Sequence, residues 1–296
     1  MKKQLKKLNA LFQEFGLKKN GDWHRSPLKP NSDVKILDPT YKDEYQKNIV
    51  CVVAAHRRIK LLNFVLNYLN KLDFRKIVVV YSLPDEKITA KKYDKVSAVF
   101  SPNLPVSKKW QKGVEHSRKF NPDGVMILGS DDIITPGYLD YVKKQISDNY
   151  DYISNKRWYS TYLTNNNFYV CEFRYLKERV DGLGSGRVYS KKVLDKLKWK
   201  LYNFNKNKSL DGTSYKLAEK HIKKKIIVNN LHQMNVILLK TEDNANSISV
   251  TNGFFNWVHS CTVKRKVLEK VSLFRIGESN VYEILCDIFS YNNSKN

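Results

Sequence analysis

Between Asn48 and Asp132 short apolar runs alternate with helical patterns four times, and this alternation constrains the fold more than any other feature. Ile49 to Ala55 is apolar throughout and is followed by His56-Arg57-Arg58. A helical pattern on Leu61, Leu62, Val65, Leu66 and Leu69 then runs to Leu72. Lys76 to Ser82 is a second apolar run, closed by a turn at Leu83-Pro84-Asp85, and Val96 to Phe100 is a third. A helix from Ser107 to about Lys119 leads to the fourth, Val125 to Leu128. Strands without polar alternation are covered on both faces, which helices on either side of a parallel sheet achieve. The predicted fold class is therefore α/β, a mostly parallel, Rossmann-like sheet flanked by helices. No G-x-G-x-x-G follows the first strand and no P-loop occurs, so the ordinary dinucleotide and ATP cradles are absent.

The fourth run stops at Gly129-Ser130, and two carboxylates, Asp131 and Asp132, follow at once. Carboxylates at the carboxyl end of a buried strand stand where open α/β sheets bind ligands. Adjacent negative charges invite a divalent cation, and hard oxygen ligands suit Mg²⁺ or Mn²⁺, which in turn grips a diphosphate. The plainer alternative is a helix N-cap before Pro136.

The charge is unusual. Fifty-three Lys and Arg oppose 29 Asp and Glu, a formal net charge of +24 over 296 residues. Such a field favours anionic partners: nucleic acid, an acidic membrane face or phosphorylated substrates. The four cysteines (Cys51, Cys171, Cys261, Cys286) have no metal-type spacing and read as reduced thiols, so a cytoplasmic location is expected. The basic N-terminus has no continuous apolar stretch of the secretory type, and no window reaches the roughly 20 apolar residues a bilayer span needs. The expectation is a protein without an integral membrane segment.

Three regions are expected. Residues 1–47 form an amphipathic helix (2–19, with Leu5, Leu8, Leu11, Phe12 and Phe15 on its apolar side) and an irregular arm; 48–250 form the main domain; 251–296 form a C-terminal helical extension. Within the main domain a helix at 138–149 precedes an aromatic-rich stretch, 150–175, compatible with meandering strands. The glycine-rich Asp181-Gly182-Leu183-Gly184-Ser185-Gly186-Arg187 follows, then helices beginning at Lys191 and Leu210, and a strand or strand pair over Ile226 to Met234.

Taken in order, several segments resemble the nucleotide-binding half of a GT-A glycosyltransferase, most similar to the family-2 type. They are Val52-Val53-Ala54-Ala55-His56-Arg57, Val79-Val80-Tyr81-Ser82, Lys108-Lys109-Trp110-Gln111-Lys112-Gly113, Leu128-Gly129-Ser130-Asp131-Asp132, Gly184-Ser185-Gly186-Arg187 and Ser209-Leu210-Asp211. The resemblance covers roughly residues 48–250 and implies a nucleotide diphosphate sugar, a UDP-sugar first of all, as donor, with Mn²⁺ or Mg²⁺. It implies that His56, Arg57 and Ser82 hold the base, with Asp85 in the following turn, and that Ser130 or Asp131 recognises the ribose. Asp131 and Asp132 would hold the metal. Here the chain departs from the family: Gly129 stands at the first position of the usual Asp-x-Asp. Lys109 and Arg187 would contact phosphate. Asp211 would be the base that deprotonates the acceptor hydroxyl; its plainer role is a helix N-cap. His232 as a further metal ligand is the weaker reading.

The acceptor is the open question. Family-2 enzymes mostly build cell-surface glycans. The charge, and the basic stretches interleaved with aromatics (Lys156-Arg157-Trp158-Tyr159 and Lys196 to Tyr202), suit a polyanionic acceptor, DNA above all. The Gly-Ser-Asp-Asp and Gly-Ser-Gly-Arg arrangement also resembles virus- and phage-encoded transferases that glycosylate hydroxymethylated pyrimidines in DNA. Surface-glycan or capsid-glycan synthesis is the runner-up, and a non-catalytic basic nucleic-acid-binding protein is a third class.

Overall fold

Ile49–Ala54 (β1) lies between two parallel neighbours, Lys76–Tyr81 (β2) and Gly124–Gly129 (β4), and five of its six residues are buried. Its continuous apolar character follows from that position, because both faces are covered. Ile49, Cys51 and Val53 pack with Leu61, Leu62, Val65, Leu66 and Leu69 of helix α1 (Ile59–Lys71). Val50 and Val52 pack on the opposite face with Val114 of α3 (Val106–Ser117). Burying a Val, Leu or Ile side chain is worth about 1.5–3 kcal/mol, so each face is a major source of stability. Burial also pushes the Cys51 thiol pKa far up, leaving it protonated and inert.

The computed structural model describes residues 45–163, 168–175, 180–228, 236–241, 263–268, 275–276 and 279–280. The expected N-terminal helix at 2–19 and His232 lie outside the described residues. Val96–Phe100 (β3) completes the parallel edge beyond β2. Between β2 and β3 the expected turn is instead a helix, α2 (Pro84–Ala90), which opens with Pro at its first position and Asp85 and Glu86 in its first turn.

After β4 the chain forms β5 (Asp132–Ile134), α4 (Pro136–Ser147), β6 (Tyr152–Asn155), β7 (Arg157–Leu163) and β8 (Phe168–Tyr175). Then come β9 (Arg187–Ser190), α5 (Lys191–Lys196), α6 (Leu210–Glu219), β10 (Lys225–Val228), β11 (Val236–Thr241) and β12 (Val263–Leu268). The main sheet has seven strands in the order β10-β6-β9-β4-β1-β2-β3. All its pairings are parallel except those of β9, which runs antiparallel between β4 and β6. A second sheet runs β12-β8-β7-β11-β5, and Leu238 of β11 faces Asp132 of β5. The result is a mixed α/β fold, broadly Rossmann-like, with a central sheet flanked by helices.

One expectation needs correction. The C-terminal extension, 251–296, is expected to be helical, yet Val263–Leu268 is a strand paired antiparallel with β8, and Arg275–Ile276 pairs with Ser279–Asn280. The reason is tertiary: 263–268 finds a strand partner in β8, far away in the chain, which helical periodicity does not register.

Candidate functional site

The chain builds β1, moves to β2 and β3 on one side, and returns to place β4 on the other. The order therefore reverses between β1 and β4, and the crevice at their carboxyl ends is where open α/β sheets take ligands. Two loops meet there. After β1, Arg57 and Arg58 both have positive φ, 58° and 47°. A non-glycine residue in this region costs about 1–2 kcal/mol, so the surroundings must hold it. They do: Arg57 N donates to Glu86 Oε1 at 2.6 Å, and the Arg58 guanidinium donates to Asp131 Oδ2 at 3.0 Å and Ser130 Oγ at 3.2 Å. Arg58 thus bridges the two loops across the switch point, and it precedes the first helical residue of α1.

Glu86, fully buried, also accepts from Ser82 N at 2.7 Å and Leu83 N at 3.1 Å, fastening the end of β2 to the loop after β1. Beneath both lies Lys109. Its ammonium donates to the Ala55 carbonyl, to Ser82 Oγ and to Asn103 Oδ1, and only 1% of the residue is exposed. Burial pulls its pKa down to about 8, with the Glu86 carboxylate acting in the opposite direction. The phosphate contact expected of Lys109 does not match this geometry: the head group is enclosed by protein oxygens and forms the floor on which His56 and Ser82 sit. Burial, and then the Lys109 charge, also pull the His56 pKa down, favouring the neutral imidazole. Its Nδ1 is buried without a hydrogen-bond partner among the described residues.

At the end of β4 the two carboxylates both reach the space above Gly129 but take different partners. Asp131 turns toward Arg58, while Asp132 Oδ2 accepts from Ser185 Oγ at 2.6 Å. Neither caps the next helix, because Thr135 holds the N-cap position of α4. Asp132 folds back over Gly129: a Cβ at 129 would lie 2.3 Å from Asp132 Oδ2. The Asp132 carboxylate therefore takes the space of a side chain at 129. Glycine at this position leaves room for the Asp132 carboxylate.

Ser185 belongs to the glycine-rich loop, and its neighbour Gly184 meets the second candidate carboxylate. A Cβ at 184 would lie 1.9 Å from Asp211 Oδ2. Asp132 and Asp211, 79 positions apart in the chain, thus flank consecutive residues of one loop. Asp211 is exposed and is the second residue of α6; Ser209, at φ 55°, holds the N-cap position, so the capping role does not fall to Asp211. Gly184→Ala is expected to push the Asp211 carboxylate out of place while leaving the fold, because the clash is with the end of a mobile side chain. A structure of the variant should show the Asp211 carboxylate displaced, with little change in melting temperature; an unmoved carboxylate would show that the Gly184 contact does not set its position.

Arg187 is fully buried in β9. Its Nε donates to Gly184 O at 3.1 Å, and Nη1 donates to Asp211 O at 2.7 Å, so it ties the loop to the start of α6. Asp181 adds an ion pair at 3.9 Å. The direct phosphate contact expected of Arg187 gives way here to positioning of Asp211.

The basic–aromatic stretches also differ from expectation. Trp158, Trp199 and Tyr202 are buried, each no more than 3% exposed. The interleaving separates inside from outside: Trp199, Leu201 and Tyr202 join the core while Lys198 and Lys200 face solvent. These rings are not available to stack on bases.

Arg58, Glu86 and Ser185 were not predicted as site residues. Arg58 adjoins the predicted His56-Arg57 and Ser185 sits in the predicted loop, but the partners 73 and 53 positions away that give them roles leave no local trace. The residues that could hold a divalent cation are Asp131 and Asp132. Mg²⁺ commonly takes one or two protein carboxylates and completes its shell with substrate phosphates and water, so this donor set fits.

No family model matches the chain, and no curated protein matches it. Among solved structures it is distantly similar to TarS residues 1–349 of S. aureus, at 13% identity and a TM-score of 0.47 over 65% of this chain and 60% of that one. It thus spans less than two thirds of the TarS fragment. It is also similar to 4-diphosphocytidyl-2C-methyl-D-erythritol synthase from Anaerococcus prevotii (13%, TM-score 0.37, over 64% and 90%) and to Rv0371c of Mycobacterium tuberculosis (14%, 0.38, over 62% and 90%). Among the described residues no helix is long and apolar enough to cross a membrane.

Proposed function

We propose that this chain is a nucleotide-sugar-dependent glycosyltransferase that acts on a hydroxyl acceptor, with the hydroxymethyl group of a modified pyrimidine in DNA as the favoured acceptor. The observation that carries the reading is the convergence of Asp132 and Asp211 on consecutive residues of the glycine-rich loop, beside a switch-point crevice. The first lies where a donor diphosphate would be held, the second where an acceptor would enter.

In this reading His56, Arg57 and Ser82 line the base end of the crevice, over the Lys109–Glu86 floor. Ser130 and Asp131, oriented by Arg58, meet the ribose. Asp132, with Asp131, would hold Mn²⁺ or Mg²⁺, which when bound supplies charge neutralisation for the departing diphosphate. Asp211 accepts the proton from the acceptor hydroxyl as its oxygen bonds to the anomeric carbon. The bond from that carbon to the diphosphate breaks, and the nucleoside diphosphate leaves with the electron pair. Arg187 keeps the Asp211 backbone against the loop, so the base is positioned before the acceptor arrives.

The test is sugar transfer from a panel of nucleotide sugars, with and without Mn²⁺, to DNA containing hydroxymethylcytosine or hydroxymethyluracil. Unmodified DNA is the control, because it lacks the hydroxyl that Asp211 would deprotonate. Transfer only to the hydroxymethylated DNA is expected. Transfer to lipid-linked or oligosaccharide acceptors and to no DNA would overturn the acceptor assignment. Absence of both transfer and nucleotide-sugar binding would overturn the enzyme.

A further inference from the structure

We infer that residues 196–208, together with the exposed face of α3, form a docking surface for the phosphate backbone of duplex DNA beside Asp211. The inference rests on the acceptor reading above and gives it a location. Between Lys196 and Leu210 the chain has five lysines and no acidic residue. Lys196, Lys198, Lys200, Lys206 and Lys208 are all exposed, as are Lys108 and Lys112 on the adjoining helix.

The segment is not a loose tail. Gln111 of α3 donates to Trp199 O and accepts from Tyr202 N, at 2.8 and 2.7 Å. Nearer the ligand end of the sheet, Ser107 N donates to Lys206 O at 3.0 Å, and Lys206 N donates to Ser107 Oγ at 3.1 Å. Val106 N donates to Asn207 Oδ1 at 3.0 Å. Trp199, Leu201 and Tyr202 anchor the inner side in the core, and Trp110 stacks against Tyr202 with centroids 6.1 Å apart. The segment therefore climbs along α3 toward the crevice as a fixed strap and delivers its lysines at Ser209, two residues before Asp211. The Lys206 ammonium reaches Thr213 Oγ1 at 3.3 Å, placing positive charge over the first turn of the helix that carries the candidate base.

The chemistry of the strap selects the partner. Lysines are point charges that neutralise phosphates without reading a base edge, and each neutralised phosphate releases counterions. Recognition of single strands adds stacking on exposed aromatic rings. Trp199 and Tyr202 of the strap are turned inward, and the half-buried Phe204 and Trp110 pack against Tyr202, with ring centroids 5.9 and 6.1 Å away, so the surface offers chiefly backbone attraction from its lysines. A duplex, whose phosphates are dense and whose bases are already stacked, fits it better than a single strand.

The experiment compares two triple variants of the full chain, K200Q/K206Q/K208Q on the strap and K71Q/K91Q/K92Q. The latter lysines are exposed at the opposite end of the sheet. Binding to duplex and single-stranded DNA of one length is measured over a salt series, with donor affinity and melting temperature in parallel. The strap variant is expected to bind duplex more weakly, with the log K against log[salt] slope reduced by roughly 2 to 3, about 0.9 for each lost phosphate contact. The control variant should keep the wild-type slope. Equal losses in both variants would overturn the proposal, since the field would then be diffuse; so would a preference for single strands, or no salt-dependent DNA binding. Because binding needs no donor, lost donor binding with an intact strap effect would sink the transferase reading alone, and the reverse pattern would sink only the docking surface.

Discussion

Asp211→Asn is expected to lower kcat by about 10²- to 10⁴-fold, the usual range for a general base, while the donor affinity stays near wild type. Asn keeps the size of the side chain and its approach to Gly184. The bonds that hold this turn, from Arg187 and Ser214 to the Asp211 carbonyl, belong to the backbone and survive the substitution. What is lost is the proton acceptor, which matters in the transition state and little in the ground state. Steady-state kinetics with donor binding measured separately decides the matter. A collapse of donor affinity with intact chemistry would move Asp211 from the acceptor side of the site to the donor side.

Asp132→Asn should have the complementary effect. The amide oxygen can still accept from Ser185, so the loop contact and the fold are retained. The negative charge is removed from the place where a cation and diphosphate would meet. Nucleoside diphosphate binding in the presence of Mn²⁺ is expected to weaken at least tenfold, about 1.4 kcal/mol, with turnover falling alongside it. In the absence of divalent cation the variant and wild type should differ much less. Titration calorimetry with and without Mn²⁺ checks this; equal affinities in both conditions would show that Asp132 only braces Ser185. Together the two variants separate donor grip from proton transfer, which a loss of activity alone would not.

The parts of the site visible in the sequence are those that sit directly at strand ends. His56, Ser82, Asp131 and Asp132 follow β1, β2 and β4, and a buried strand announces its own end by the change from apolar to polar residues. The helix carrying Asp211 was equally legible, since Leu210 opens it as expected. The roles of the cations were not. Lys109 and Arg187 look in sequence like any other members of a lysine- and arginine-rich chain, yet both are buried and bonded to backbone carbonyls. Exposed cations stay in water because charge is costly to bury. Only the folded neighbourhood reveals the oxygens that offset that cost at these two positions.

The sequence by itself determined the parallel α/β core, because continuous apolar strands alternating with amphipathic helices have few other ways to bury both faces. It also determined the positive field and the order of the acidic and glycine-rich segments. Tertiary structure alone decided that β9 inserts antiparallel between β4 and β6 and sets Arg187 beneath the loop. It decided that Gly129 yields its side-chain space to Asp132, and that 263–268 joins a sheet. It also decided that Trp158, Trp199 and Tyr202 turn inward, leaving the lysines of 196–208 as a charged strap. These outcomes depend on contacts between residues far apart in the chain, and local periodicity carries no information about which distant surface a segment will meet.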